Sequence, residues 1–493
     1  MIKINGEALK KQRNFWNQCV FHPTDAVEDA WGGRILDRMS ADGAINAVRV
    51  YAMLEDVVYK GENGELLYDF RINDLRLDYL ISRGFDLVIA FAAVPDCISR
   101  NDSGRTTAAK GKTRYKGKMW NTNPPADYAL WEEVCYEYTR HLVERYGEKT
   151  VSGWHFHCFN EPDIKMFFLT EIPSMNYEPR CEEYLSMYEG FVRGVRRASS
   201  GVRVGGPALA ATEDFLRYFL NGIKQRKIEL DYISMHFYGT DPEFLNSGAQ
   251  TLSVDWMMKR IDSKIAVIKE CGFENTPIVI DEWGASSCGF YNVEECKALM
   301  FREHEIYSAY FVRFLDRLFS LGLPVEGLMI CLSGQHEMTE DFTGFRNFFT
   351  LNFIAKPIYN AFILASRLGE TLLYASKDND DVTVIPTKTE KGDYAVLLSY
   401  SSKDFETDIP SVSETVSFSE NVSDKTVTVW CIDRNTTNPY RAWERAGAPK
   451  MCEALLKDLR EEGKIKPVRV QKGSEPIELS MTPNSTYLIT VTD

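Results

Sequence analysis

Two carboxylates stand just past short apolar runs: Glu161, inside Asn160-Glu161-Pro162 after Trp154 to Phe159, and Glu282, after Ile278 to Ile280. They lie 282 − 161 = 121 residues apart in the chain. If both runs are parallel strands of one closed sheet, the two carboxylates emerge at the same end of it. Two carboxyl groups facing each other across a pocket are the minimum machinery for cleaving a glycosidic bond. A separation of about 5–5.5 Å implies retention through a covalent intermediate, whereas a wider gap admits a water and inverts the anomeric centre.

Such a pair needs a barrel to hold it, and the hydrophobic pattern supplies one. Strands are expected at Phe15–Phe21, Ala47–Tyr51, Asp86–Phe91, Trp154–Phe159, Val202–Gly206, Tyr232–Phe237, Ile278–Ile280 and Gly327–Leu332. Their near-continuous Val, Ile, Leu and Phe content suits strands buried on both faces. Between them lie amphipathic stretches such as Tyr128–Tyr146, where Trp131, Cys135, Tyr138 and Leu142 recur at helical spacing, and Glu294–Leu321. Eight strand–helix units predict an α/β fold with a (β/α)8 TIM barrel over residues 13–368. After Gly369 the texture changes to β-rich segments at Val382–Ile385, Tyr394–Tyr400, Val427–Ile432 and Tyr487–Val491, separated by Asp, Asn, Gly and Ser. Residues 1–12 and 369–493 are therefore expected to form an accessory β-sandwich with a helical insertion near 439–462.

At 493 residues the chain is long enough for two domains. A net charge of −14 argues against nucleic acid as a partner, since phosphates demand a basic surface. No run approaches the ~20 apolar residues of a membrane helix, so no membrane partner is expected. The eleven cysteines are scattered and contain no CxxC pair. With no basic segment followed by an apolar one at the start, they predict a reduced, cytoplasmic protein without structural zinc. A homo-oligomer is compatible with all of this.

The residues around the two carboxylates also carry a family resemblance. Trp154-His-Phe-His-Cys-Phe-Asn-Glu-Pro-Asp163 resembles the acid/base strand of clan A glycoside hydrolases, and is most similar to family 39, the β-xylosidase and α-L-iduronidase family. Val279-Ile-Asp-Glu-Trp-Gly-Ala-Ser286 resembles that family's nucleophile strand. Pro124-Pro-Ala-Asp-Tyr128, Ser234-Met-His-Phe-Tyr238, Thr350 to Tyr359 and Asn438 to Gly447 agree in order along the chain. The resemblance implies Glu161 as general acid/base and Glu282 as nucleophile, acting on an oligosaccharide or glycoside with no cofactor. β-Xylosides are the first expectation, and an arabinoside, galactoside or uronide the alternative.

The chemistry asks for helpers. A proton donor needs its pKa raised by burial and a neighbouring negative charge, while a nucleophile needs donors and a cation. Arg49 on the second strand is the candidate cation, although an arginine inside a barrel is often purely structural. Asn160 is a candidate for the sugar 2-hydroxyl or the nucleophile. His236 and Tyr238 share one face of the sixth strand and are candidates to bond the sugar or Glu282. Trp283 and Trp120 offer apolar faces to a pyranose ring; the bland role for Trp120 is loop packing. A reading from another class is a metal-dependent hydrolase using His155, His157 and His236.

Two further segments border the expected pocket. Arg100, Arg105, Lys110, Lys112, Arg114, Lys116 and Lys118 crowd one loop after the third strand, either a lid for an anionic sugar or a solvated surface loop. The eighth-strand segment, Met329 to Glu337, departs from the family in lacking aromatic residues and in carrying Gly334 where an Asp is usual. Both departures predict that sugar specificity has moved while the catalytic pair stays.

Overall fold

The computed structural model describes residues 1–21, 30–101, 121–173, 176–287, 291–332 and 338–493, with the backbone of residues 105, 106 and 120. The basic loop and Gly334 fall largely outside these residues, as does the Trp120 side chain.

Eight strands close into a parallel barrel in sequence order: Gln18–Val20, Ala47–Tyr51, Asp86–Phe91, His155–Cys158, Arg203–Leu209, Tyr232–Tyr238, Ile278–Gly284 and Val325–Cys331. These are the eight expected strands, with ends displaced by a few residues. Alternation explains their composition. Val48 and Val50, Phe156 and Cys158, and Ile278 and Ile280 face outward into the large core shared with the helices. Val88, Tyr232, Val279 and Met329 turn inward and fill the barrel's own small core. Burying the apolar side chains of both faces favours this closure at roughly 25 cal/mol per Å² of area removed from water.

The helices obey local rules. Tyr128–Tyr146 starts at Asp127, whose side chain accepts from the Ala129 amide at 2.8 Å, and stops at Gly147, with φ of 86°. It buries Trp131, Cys135, Tyr138 and Leu142 and packs on the helix Tyr177–Ala198, where the Trp131 indole donates to the Met187 carbonyl at 3.0 Å. There Gly194 allows close approach, since a Cβ would sit 2.3 Å from the Glu132 carbonyl oxygen. The expected long helix Glu294–Leu321 is broken: a 3-10 turn covers Lys297–Glu303 and the α-helix spans Glu305–Phe319.

The second domain is one nine-stranded sheet folded on itself. Ile2–Lys11 pairs antiparallel with Thr371–Lys377 and parallel with Val412–Phe418. Thr371–Lys377 joins Val382–Lys388 through only Thr371↔Lys388 and Leu372↔Thr387, and the sheet turns there into two layers. Ile2, Ile4, Val416 and Leu479 of one layer share a core with Val396, Leu398, Val429 and Val491 of the other. The helical insertion is two helices, Pro439–Arg445 and Glu453–Glu462. Asn438 donates to Glu305 at 2.8 Å and so ties this insertion to the barrel.

Candidate active site

Glu161 lies three residues beyond the fourth strand, and Glu282 lies near the end of the seventh. The chain around Glu161 is sharply shaped: Phe159 and Glu161 both take positive φ, 62° and 48°. The Glu161 amide donates to the Ala208 carbonyl at 3.1 Å, and the Asp163 carboxylate accepts from the amides of Ala210, Ala211 and Thr212. Pinned this way to the end of the fifth strand, Glu161 turns toward the mouth. A Glu161 carboxylate oxygen, a His236 ring nitrogen and a Glu282 carboxylate oxygen all lie within 4.8 Å of one another.

Arg49 is fully buried and organises the floor. Its Nη1 donates to Glu282 Oε1 at 2.7 Å, its Nη2 to Asn160 Oδ1 at 2.7 Å and its Nε to His157 Nε2 at 3.0 Å. The second oxygen of Glu282 accepts from the Tyr238 hydroxyl at 2.6 Å. His236 Nδ1 lies 2.8 Å from Glu161 Oε1 and 3.7 Å from Glu282 Oε2. Beneath it, Asp281 stands 3.5 Å from His236 Nε2, 3.5 Å from His157 Nε2 and 3.4 Å from Arg49 Nε.

These neighbours push the two carboxyls apart. Burial drives the Glu282 carboxyl upward, but the charges of His236 and Arg49 and the Tyr238 hydrogen bond outweigh it and hold it well below the usual range. Burial raises Glu161; the His236 contact opposes this, and the charges of Glu282 and Asp163 add to the rise. Burial would lower His236, yet Glu282 and Asp281 raise it to about 10, so it is an imidazolium at neutral pH. His157, desolvated and beside Arg49, falls to about 3 and is neutral, which fits its accepting from Arg49.

The structure brings Glu161, Glu282, Asn160, His236, Tyr238 and Arg49 together and rejects two other expectations. Trp283 is fully buried on the far side of its strand, its ring 5.7 Å from Phe311 and 5.3 Å from Phe314, so it offers no face to a sugar. A slip in the strand pairing is the reason: Asp281 and Glu282 both face in, and Trp283 falls to the helix layer. Of the three histidines of the metal reading, His157 and His236 both stand by Asp281, but His155 does not join them. His155 begins the fourth strand, at the opposite end from Glu161, and its Nε2 lies 3.1 Å from Arg203. The Nε2 of His157 is taken by Arg49, so two arginines occupy positions a cation would need. Two residues of the cluster went unforeseen. Asp281 was hidden because alternation allows only one of Asp281 and Glu282 to face inward in a regular strand. Both do so because pairing slips between Ile280 and Trp283 and, on the sixth strand, between Met235 and His236. Arg346, which donates from Nη1 to the Tyr238 hydroxyl at 2.9 Å, lies on an irregular segment with no periodic signal.

A closed parallel barrel with two carboxylates at its mouth, one pushed up and one held down, is the architecture of a glycoside hydrolase. The chain belongs to the glycosyl hydrolases of family 39, whose family model matches residues 1–472. It is 25% identical to a β-xylosidase of Caldicellulosiruptor saccharolyticus over 99% of this chain and 98% of that protein. It is 26% identical to the α-L-iduronidase of Homo sapiens over 47% of this chain and 35% of that one. In fold it is similar to the crystal structure of a monomeric β-xylosidase from Caulobacter crescentus CB15, with a TM-score of 0.82, 19% identity and coverage of 100% and 99%.

Proposed function

We propose that the enzyme hydrolyses glycosides by double displacement with retention, using Glu161 as general acid/base and Glu282 as nucleophile, and that short β-xylosides are its first substrates. The observation that carries the mechanism is that an oxygen of Glu161 and an oxygen of Glu282 lie within 4.8 Å of each other, in line with the short carboxyl separation of retaining enzymes rather than the wide one of inverting enzymes. The opposite pushes on their protonation support the division of roles.

In the first step Glu161 gives its proton to the glycosidic oxygen as a Glu282 oxygen attacks the anomeric carbon. The bond to the leaving group breaks and a glycosyl ester forms. Esterification removes the negative charge of Glu282, one of the influences that hold Glu161 up. Glu161 then becomes more acidic and acts as the base that takes a proton from water. Water attacks the anomeric carbon, the ester bond breaks and Glu282 is released as a carboxylate.

The similarity to one β-xylosidase over 99% of the chain and to another over 79% of it supports the xyloside reading. The similarity of about half the chain to α-L-iduronidases keeps a uronide as the second reading. A panel of nitrophenyl glycosides ranks the sugars. On the best of them, Glu161→Ala is expected to accumulate glycosyl-enzyme and to be rescued by azide with a retained anomeric configuration; an inverted azide sinks the double displacement. Glu282→Gly is expected to abolish turnover, and near-normal rates would move the nucleophile elsewhere.

A further inference from the structure

The mechanism above leaves Arg346 unused, although it is 8% exposed and reaches the catalytic cluster. Its guanidinium can only donate, so in the 2.9 Å contact with Tyr238 the tyrosine oxygen must accept. The single Tyr238 proton is then left for Glu282 Oε2, 2.6 Å away, and an ionised carboxylate only accepts. The three groups form a one-way chain of donation, cation to hydroxyl to carboxylate.

The segment that carries Arg346 is bolted down on both sides. The Gly344 amide donates to Glu303 Oε1 at 2.8 Å, and its carbonyl accepts from Arg302 Nη1 at 3.1 Å. The Phe345 carbonyl accepts from Lys356 Nζ at 2.9 Å. Lys356 itself pairs with Glu303 at 2.6 Å, and both side chains are 1% exposed. A buried ion pair is costly to assemble and seldom adds net stability, so its use here points to precise placement of what it holds. The Arg346 Cζ also lies 5.3 Å from the centre of the Tyr238 ring, which keeps the two side chains in register.

We infer that Arg346 is a positioning residue: it orients the Tyr238 hydroxyl so that its proton is always directed at Glu282, which keeps the attacking carboxylate ionised and aimed. The inference rests on the reading of Glu282 as nucleophile. Other groups also act on Glu282. Arg49 and Tyr51 face it from the second strand, Glu161 from beyond the fourth, and His236 from the sixth beside Tyr238. Asp281 precedes it, and Cys331 lies next to Tyr238 on the eighth-strand side with Arg346. Arg346 differs from these in acting on Glu282 twice, directly by its charge and through a hydroxyl whose direction it sets.

The test is a double-mutant cycle on the full-length enzyme with Arg346→Met, Tyr238→Phe and their combination, alongside Arg346→Lys, using the nitrophenyl glycoside that the panel ranks first. Arg346→Met is expected to lower kcat/KM on the order of tenfold to a hundredfold, and Arg346→Lys by less. The acid limb of kcat/KM should move to higher pH in Arg346→Met, because Glu282 loses part of what keeps it ionised. In the Tyr238→Phe background, removing Arg346 should cost less than in the wild type, since only its direct charge effect on Glu282 remains. Full additivity of the two substitutions, or an acid limb that stays in place, overturns the inference. So does a rise in KM confined to acidic sugars, which would make Arg346 a substrate contact. If Arg346→Met does not fold, Arg346→Lys alone and with Tyr238→Phe is judged by the same two criteria. Trapping the wild-type glycosyl-enzyme with an activated 2-deoxy-2-fluoro glycoside reports separately on the underlying reading: a label on a residue other than Glu282 sinks that reading whatever the arginine variants do.

Discussion

Two glutamates of identical chemistry are separated here by what touches them. Glu282 receives one donor on each oxygen, Arg49 and Tyr238, whereas Glu161 faces His236 and otherwise meets burial and like charge. Because the Glu161 carboxyl is raised, the protonated acid survives above the ordinary carboxylate range and is lost as the pH climbs through its value. The alkaline limb of kcat/KM is therefore expected to follow Glu161. In Glu161→Gln, assayed on a substrate whose leaving group needs no protonation, that limb should vanish; if it persists, another group supplies the proton. Both glutamates were legible from sequence because each comes just past a short apolar run. Arg49, His236 and Tyr238 were legible for a related reason, since each is a polar residue inside an otherwise apolar run.

The seventh strand shows what strand periodicity alone misses. A regular strand would have sent Glu282 outward with the helices; the slipped pairing on both sides lets Asp281 and Glu282 serve the same cavity, and Trp283 takes the outward place. No single-strand pattern encodes such a slip, because it depends on the neighbours' register. Asp281 is fully buried among Arg49, His157 and His236. Burial raises its carboxyl, but the charges of His236 and Arg49 overcome this and leave it lowered. A lowered carboxylate adds stability that is present above the unfolded-state value and disappears as the pH falls through the folded one. Asp281→Ala is accordingly expected to cost about 3–5 kcal/mol at neutral pH, because it strands buried cations. In denaturant titrations the deficit should shrink as the medium is acidified. A deficit that is small at neutral pH, or equal at all pH values, would mean that Asp281 does not hold the cluster together.

At the scale of the molecule, the barrel was readable as eight apolar runs, and the sandwich only in part. Tyr394–Tyr400 and Val427–Ile432 announced themselves as apolar segments. Ile477–Met481 was not among the expected strands, although it buries Ile477, Leu479 and Met481 in an alternation that the sequence carries. Pro467–Lys472 is an edge strand with its side chains largely exposed and has no such pattern. The first strand was expected to join this domain, and Ile2 and Ile4 are fully buried in its core. Ile4→Ala is expected to destabilise the second domain by about 2–5 kcal/mol. The measurement is hydrogen exchange across Thr371–Lys377 and Val412–Phe418, which should quicken; unchanged protection there would show that the strand is dispensable to the sheet.

That same strand bears on the order in which the protein assembles. Ile2–Lys11 is made before the barrel, yet both of its neighbours lie beyond residue 370. While the ribosome makes the whole barrel, a strand with two open edges, apolar at Ile2 and Ile4, must wait without partners, a hazard for sticking to other chains. Its wide sequence separation also makes closing the sandwich the slow, late event of folding.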